Sequence, residues 1–583
     1  MSVRYAVSLV LNAHLPYVRE FTAPPKNPAA LSAEQPLPEQ TPPDEPPSPD
    51  EPPVSENQLP PDEQPEEINL TPGSVEESWF FEALSETYLP LLMLFDRLEA
   101  DHVPFRLGLS LSPVFAQMLG DEILQKKYAA YLDHQIDFGR QEIERLGKED
   151  SPSAAARRLL AQRYFDQAID RRAAFTTRYE GNIFKAFDYY QRKRKIEFLA
   201  APATHAFLPF LCPYPEAVQA QIETALSFYR YSLGINPQGF WLPELGWSKD
   251  IDPFLRSYGF NYTIADSHGF VLGNPPPSRG CFFPVRTPHG IFVLARDFDA
   301  CSGIAAMRKE GPYRDNSRDI GYELPPEMIG PFLAQNGARC QTGYKYWQSE
   351  DTPYNPQAAQ AAARDHARTF LENCCGKFDS VLQHIRELPR QPPGGVPISL
   401  CAFNADSFGR NWHEGPLFLE SLFRFAANYR ELQFMTPSEY LYHQQISALE
   451  VSLPEFSSWG DNGYAETWLD SSNDWIYRHL NRSIDRMIEL ADRFSRNSSL
   501  KERALNQGAR EILLAMASDW PSFLSRQECT AYARRQIEDA LKNFSTIYEA
   551  LGSNYISAEW LTNLECRHEI FPNINYRVFK RKH

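Results

Sequence analysis

The nine residues Gly239–Trp247, GFWLPELGW, decide how the rest of the chain is read. An apolar run meets a proline and then delivers one carboxylate, Glu244, between Trp241 and Trp247. A short apolar run that ends on an ionisable residue is what a buried parallel strand looks like when its tip faces a site. Working outward, the same pattern recurs along the chain. Arg4–Asn12 leads into Asn12-Ala13-His14, Ile196–Ala203 into Thr204-His205, and Asn261–Ala265 into Asp266-Ser267-His268. Ile291–Arg296 leads into Arg296-Asp297 and Pro397–Asn404 into Asn404-Ala405-Asp406, while Arg106–Ser112 supplies a further strand. The stretches between them are longer and polar or helical, which makes the strands parallel. Seven such strands, several almost wholly apolar, predict a closed barrel rather than an open sheet. A parallel barrel builds its site at the C-terminal ends of its strands, so these loaded tips should converge.

The remaining chain divides around this core. Residues 1–430 are read as the barrel domain, interrupted at 24–70 by a stretch with fifteen Pro, many Asp and Glu, and a single basic residue, Lys26. Such a composition cannot bury enough apolar surface to fold, so it reads as a disordered acidic insertion and a candidate contact for a partner protein. Residues 114–180 are longer than one crossover helix needs and form a helical insert. From 431 to 583 the apolar residues fall three and four apart, as in DWIYRHLNRSIDRMIELADRF, and predict a helical C-terminal domain.

Bulk properties narrow the function classes. The net charge of −17 disfavours nucleic acid and anionic membranes and suits a neutral ligand. No run approaches the length of a membrane span, and Met1–Asn12 lacks the long apolar region of a signal peptide. Nine scattered Cys without a C-x-x-C pair point to a reduced, cytoplasmic protein. The histidines lack H-E-x-x-H or close His/Cys spacing, so no metal site is expected. There is no G-x-S-x-G elbow and no phosphate-binding G-x-x-x-x-G-K-[ST] loop. Aromatic residues reach 13% and offer flat faces for sugar stacking as well as core. Glycoside cleavage needs two carboxyl groups. Glu244 is the candidate nucleophile, and His14, His205 and His268 could hydrogen-bond sugar hydroxyls.

These stretches resemble glycoside hydrolase family 57, in its subgroup of α-1,4-glucan branching enzymes and related amylase-like proteins. The resemblance rests on SLVLNAHLPYVRE, LGLSLSPVF, IEFLAAPATHAFLPFL, GFWLPELGW, YTIADSHGF, SSWGDNGYAETWLD and ASDWPSF, which run collinearly through the chain. It implies a distorted (β/α)7 barrel with a helical insert and a helical C-terminal domain. It also implies retaining chemistry on an α-1,4-glucan or maltooligosaccharide without cofactor or metal. By the same resemblance Glu244 matches the nucleophile, His14 and His205 match motif histidines, and His268 and Arg296 match substrate contacts. Trp459 and Trp468 match aromatics from the C-terminal domain, and Trp241, Asp266 and Trp412 are further substrate-binding candidates.

The match breaks at the fourth motif. The family pattern resembles A-P-Y-D-x-E-L-F-G-H-W-W-F-E-G-P, its Asp being the general acid/base; here residues 401–416 read CAFNADSFGRNWHEGP. The acid position falls on Asn404, the motif His becomes Arg410, and one Trp becomes Asn411. An amide cannot hand a proton to a leaving oxygen. Arg279 stands where branching enzymes carry a loop Tyr, and Ile304-Ala305 stands where V-W is usual. If the strand pleat continued past Asn404, Asp406 would lie on the same side about 7 Å further on, beyond hydrogen-bond reach of the same oxygen. Asp406 and Asp266 are the candidate replacement acids. Two readings follow: an α-glucan-active enzyme, by hydrolysis or glucan transfer, or a catalytically impaired protein that binds glucan or a partner.

Overall fold

A computed structural model describes residues 4–20, 70–348, 352–387, 395–444, 449–494 and 499–582. Strand β1, Tyr5–Ala13, is buried along its whole length. Eight more strands follow among the described residues: β2 Leu107–Leu111, β3 Ile196–Leu199, β4 Gly239–Phe240, β5 Tyr262–Ala265, β6 Val285–Arg286, β7 Phe292–Ala295, β8 Ile398–Asn404 and β9 Leu432–Phe434. β1 pairs in parallel with β2 and β8, and β2 with β3. β5 pairs in parallel with β4 and β7. Single parallel bridges, Ala200 to Phe240 and Arg296 to Leu400, join these two sheets at both edges. The ring therefore runs β1, β2, β3, β4, β5, β7, β8 in chain order, a distorted (β/α)7 barrel made of the seven strands read from sequence.

Two strands were not foreseen. β6 pairs antiparallel with β7, and β9 pairs with the start of β1. β9 and Tyr440, which packs inside the barrel, carry its contacts beyond residue 430, so the division drawn there from sequence runs through the barrel.

Period-two alternation sorts the strand residues into two cores. Val10, Leu199, Trp241, Ile264, Leu294 and Leu400 fill the barrel interior. Their neighbours Leu9, Phe198, Phe240, Ala265, Val293 and Cys401 pack outward against the helices. Helices Pro113–Leu119, Glu122–Gly147, Pro152–Ala173 and Ile183–Arg192 occupy the stretch between β2 and β3. Each starts on a residue whose side chain caps a free helical N–H: Ser112, Asp121, Ser151 and Asn182. Beyond the barrel, five helices between Asp474 and Arg567 form the C-terminal body. The acidic insertion predicted at 24–70 lies, apart from Leu70, outside the described residues. No helix among the described residues is long and apolar enough to cross a membrane.

Candidate active site

The strand tips open into a cavity of about 760 Å³ lined by Asn12, His14, His205, Glu244, Asn404 and Asp406. Trp79, Glu82, Arg410, Asp519 and Phe523 complete much of its wall.

Glu244 is presented by a sharp turn. After β4 the chain enters one short helical turn in which Glu244 has φ 60° and Leu245 φ 49°. A non-glycine residue held in the left-handed region costs about 1–3 kcal/mol and persists only where its surroundings fix it. Here they do. The Trp459 amide donates to the Glu244 carbonyl at 2.9 Å, and the Trp459 indole N–H donates to Glu244 Oε2 at 2.6 Å. On the other oxygen, Ser518 Oγ donates to Oε1 at 3.2 Å. Burial pushes the carboxyl above the usual carboxylate range. The Trp459 bond pulls it back, and the nearby Asp519 charge pushes it further up.

The two motif histidines form one unit. Their rings stack with centroids 3.8 Å apart and 6° between planes. Burial, reinforced by the neighbouring His14, drives His205 well below its usual pKa, so it is neutral. Asn12 Nδ2 donates to His205 Nε2 at 3.1 Å, which leaves the proton on Nδ1 to reach Ser518 Oγ at 3.0 Å. A directed chain thus runs Asn12 to His205 to Ser518 to Glu244. On the other ring, Ser112 Oγ meets His14 Nδ1 at 2.8 Å and His14 Nε2 meets Asp519 Oδ2 at 2.9 Å.

His14, His205 and Asp519 place three ligand-capable atoms within 4.8 Å of one another. A metal ion does not fit them as they stand. Ring-nitrogen lone pairs lie in the ring plane, and two nearly parallel planes share no coordination point. All four ring nitrogens are also already engaged.

Asn12 and Asn404 are register partners on β1 and β8, so both side chains face the cavity. Asn12 Nδ2 donates to Asn404 Oδ1 at 3.0 Å. That contact ties up the Asn404 oxygen and turns its NH₂ to the cavity. The group at this position donates hydrogen bonds but carries no transferable proton.

The strand pleat does not continue beyond Asn404, which corrects the sequence expectation. Residues Ala405–Phe408 form a helical turn that folds Asp406 back to the same cavity instead of carrying it along the strand. Thr87 Oγ1 donates to Asp406 Oδ1 at 3.1 Å, and Arg410 Nη1 lies 3.8 Å from Oδ2. Burial raises the Asp406 carboxyl, with Arg410 and Thr87 opposing.

Other predicted residues lie elsewhere. Asp266 is buried and tied to Arg296 at 3.3 Å and to His268 at 3.4 Å, away from the cavity wall. His268 Nε2 also bonds the Gly463 carbonyl at 2.8 Å. This group meets the site at Trp459, whose ring lies 5.9 Å from the Arg296 guanidinium. Trp241, Trp412 and Trp468 are in the core rather than on the wall, because their large apolar faces have neighbours to pack against. Trp241 fills the barrel, Trp412 packs on Phe408 and Phe418, and Trp468 stacks on Phe207 at 5.3 Å.

Sequence profiles and solved structures place this arrangement among known proteins. The profile of glycosyl hydrolase family 57 matches residues 63–452, two thirds of the chain. The chain belongs to this family. A second profile, that of the 1,4-alpha-glucan branching enzyme C-terminal region, matches residues 479–579. The chain is similar to a 1,4-alpha-glucan branching enzyme of Thermococcus kodakarensis, 26% identical over 489 residues that span 79% of this chain and 68% of the relative. Its fold is similar to that of the alpha-amylase AmyC from Thermotoga maritima, 31% identical, TM-score 0.81, both chains covered fully. The branching enzyme of Pyrococcus horikoshii superposes with TM-score 0.78 at 23% identity, covering 100% of this chain and 97% of that one.

Within this family 57 chain, Ser518 and Asp519 were not singled out from sequence. The β3 tip holds them: the Ser518 amide donates to the His205 carbonyl at 3.2 Å, and Ala206 bridges Ala517. Asn12 was quoted only as part of a strand end; its place opposite Asn404 depends on the β1–β8 register, which the structure supplies.

Proposed function

We propose that this chain acts on α-1,4-glucan by the retaining route, with Glu244 as nucleophile and a weakened proton donor. The observation that carries the reading is Glu244, fixed in a left-handed turn and gripped by Trp459 and Ser518 within an open, sugar-sized cavity. In this route the Glu244 carboxylate attacks the anomeric carbon as the glycosidic C–O bond breaks. The leaving oxygen receives a hydrogen bond from the Asn404 amide and its proton from Asp406. Water or a second glucan hydroxyl then opens the glycosyl ester, returning its proton to Asp406. A reducing, cytoplasmic setting belongs to the same reading: the nine cysteines are all unpaired.

A second reading, a glucan-binding protein without turnover, is favoured by the pairing of Asp406 with Thr87 and Arg410, which works against the burial that raises its carboxyl.

The test supplies the protein with amylose and with α-maltosyl fluoride, whose leaving group needs little protonation. The first reading expects fluoride release to outpace amylose cleavage by about 10²-fold or more, the worth of a general acid. Binding without release from either substrate selects the second reading. Absence of binding to both removes the two together.

A further inference from the structure

Outside the active site, four helices enclose a separate cavity of about 280 Å³. One wall is the helix Pro152–Ala173, on which Arg163, Gln167 and Arg171 recur every four residues and so share a face. Opposite stand Arg364 on helix Pro356–Glu387 and Glu414 at the start of helix Gly415–Ala426.

The polar groups here are unevenly satisfied. Buried Arg314 and Arg171 hold Glu86, at 2.8 and 3.6 Å. Burial alone would raise the Glu86 carboxyl, yet these two guanidinium groups keep it well below the usual range. That acid is therefore neutralised. Arg163 and Arg364 have no acidic partner among the described residues, and Arg163 Nε is buried without any hydrogen-bond acceptor. Glu414 is 4% exposed; Tyr354 donates to its Oε1, while its Oε2 has no donor. Gln167 Oε1 is likewise unpaired. A buried polar atom left without a partner is unfavourable, so several around one small cavity mark a place where a ligand completes the hydrogen bonding.

The geometry points to a binding site for a phosphorylated monosaccharide. Arg163 and Arg364 supply the charged forks that a phosphate monoester accepts from. Glu414 Oε2 and Gln167 Oε1 supply acceptors for sugar hydroxyls, which donate. A bare anion satisfies only the first pair and meets the Glu414 carboxylate. A neutral sugar satisfies only the second. The volume sits at the lower end of small-ligand sites, which suits one sugar ring and its phosphate rather than a glucan chain.

Isothermal titration of the full-length protein with glucose 6-phosphate, glucose and inorganic phosphate tests this independently of any turnover. Saturable glucose 6-phosphate binding is expected, at least tenfold tighter than either glucose or phosphate. Arg163→Gln combined with Arg364→Gln should weaken it tenfold or more, and both residues reach solvent, so the fold is spared. Glu414→Gln should narrow the gap between glucose 6-phosphate and inorganic phosphate. Undiminished binding in the double variant overturns the assignment, as does the lack of saturable binding to the parent protein. Equal affinity for phosphate and glucose 6-phosphate overturns its sugar half.

Discussion

The tips of β4 and β8 face one cavity but are built differently. At β4 the backbone is forced through a left-handed turn, and two donors from distant segments grip the carboxylate it presents. At β8 Asn404 keeps an ordinary extended backbone, φ −66° and ψ 138°, and its side chain is held by one bond from Asn12. Position 244 is fixed by many neighbours at once, so a residue of another shape there disturbs all of them. Position 404 is held by a single contact that either Asp or Asn accepts, so a carboxylate can become an amide there without moving the frame. The difference separates the part of this family 57 cavity that the fold itself maintains from the part that the fold leaves free to vary.

Experiments can break this contrast, starting with the largest effect. Glu244→Gln should lower α-maltosyl fluoride turnover by on the order of 10⁴-fold, as loss of a nucleophile does; an unchanged rate removes Glu244 from the mechanism. Asn404→Asp should raise amylose cleavage by about 10²–10⁴-fold while scarcely changing fluoride release. A gain on neither substrate means that the acid position is remodelled beyond one residue. Asp406→Asn should reduce the residual amylose cleavage of the parent by about 10²-fold and leave fluoride release nearly intact. Equal loss on both substrates would make Asp406 a structural partner of Arg410 only. Ser518→Ala removes one hydrogen bond to the Glu244 carboxylate. Fluoride turnover should fall less than about tenfold, since such a bond contributes roughly 1 kcal/mol, and the acid limb of the pH profile should move up.

The smallest effect concerns stability. The folded state holds the Glu244 proton to higher pH than the unfolded chain does. Stability therefore falls as pH rises from the ordinary carboxylate value of about 4.3 to the raised folded value, and is level above it. Glu244→Gln removes that loss. Its Tm at pH 7 should exceed that of the parent slightly, and the gain should shrink at pH 4 and below.

The barrel was legible because each of its seven strands is an apolar run with turn chemistry on either side. β6 and β9 were not: Pro284 and Pro288 interrupt the run around β6, and polar Gln433 sits inside the three residues of β9. Of the site, the residues at barrel strand ends could be found by position alone: Asn12, His14, His205, Glu244, Asn404 and Asp406 all line the cavity. Trp241, Trp412 and Trp468 misled, because an indole beside a motif looks the same in sequence whether it meets the site, as Trp459 does at Glu244, or packs in the core. Ser518 and Asp519 were hidden for a different reason. They lie in the quoted ASDWPSF stretch of the helical C-terminal body, 274 residues after Glu244 for Ser518, and nothing local reports which strand tip that stretch meets.

That separation also sets an order of assembly. A ribosome that has delivered the first five hundred residues has already made every strand of the barrel, yet Glu244 still lacks the Ser518 hydroxyl and His14 lacks its carboxylate. The last hydrogen bonds of the centre form only after Ser518 and Asp519 have emerged, so the nascent protein cannot finish its pocket before its C-terminal helices exist.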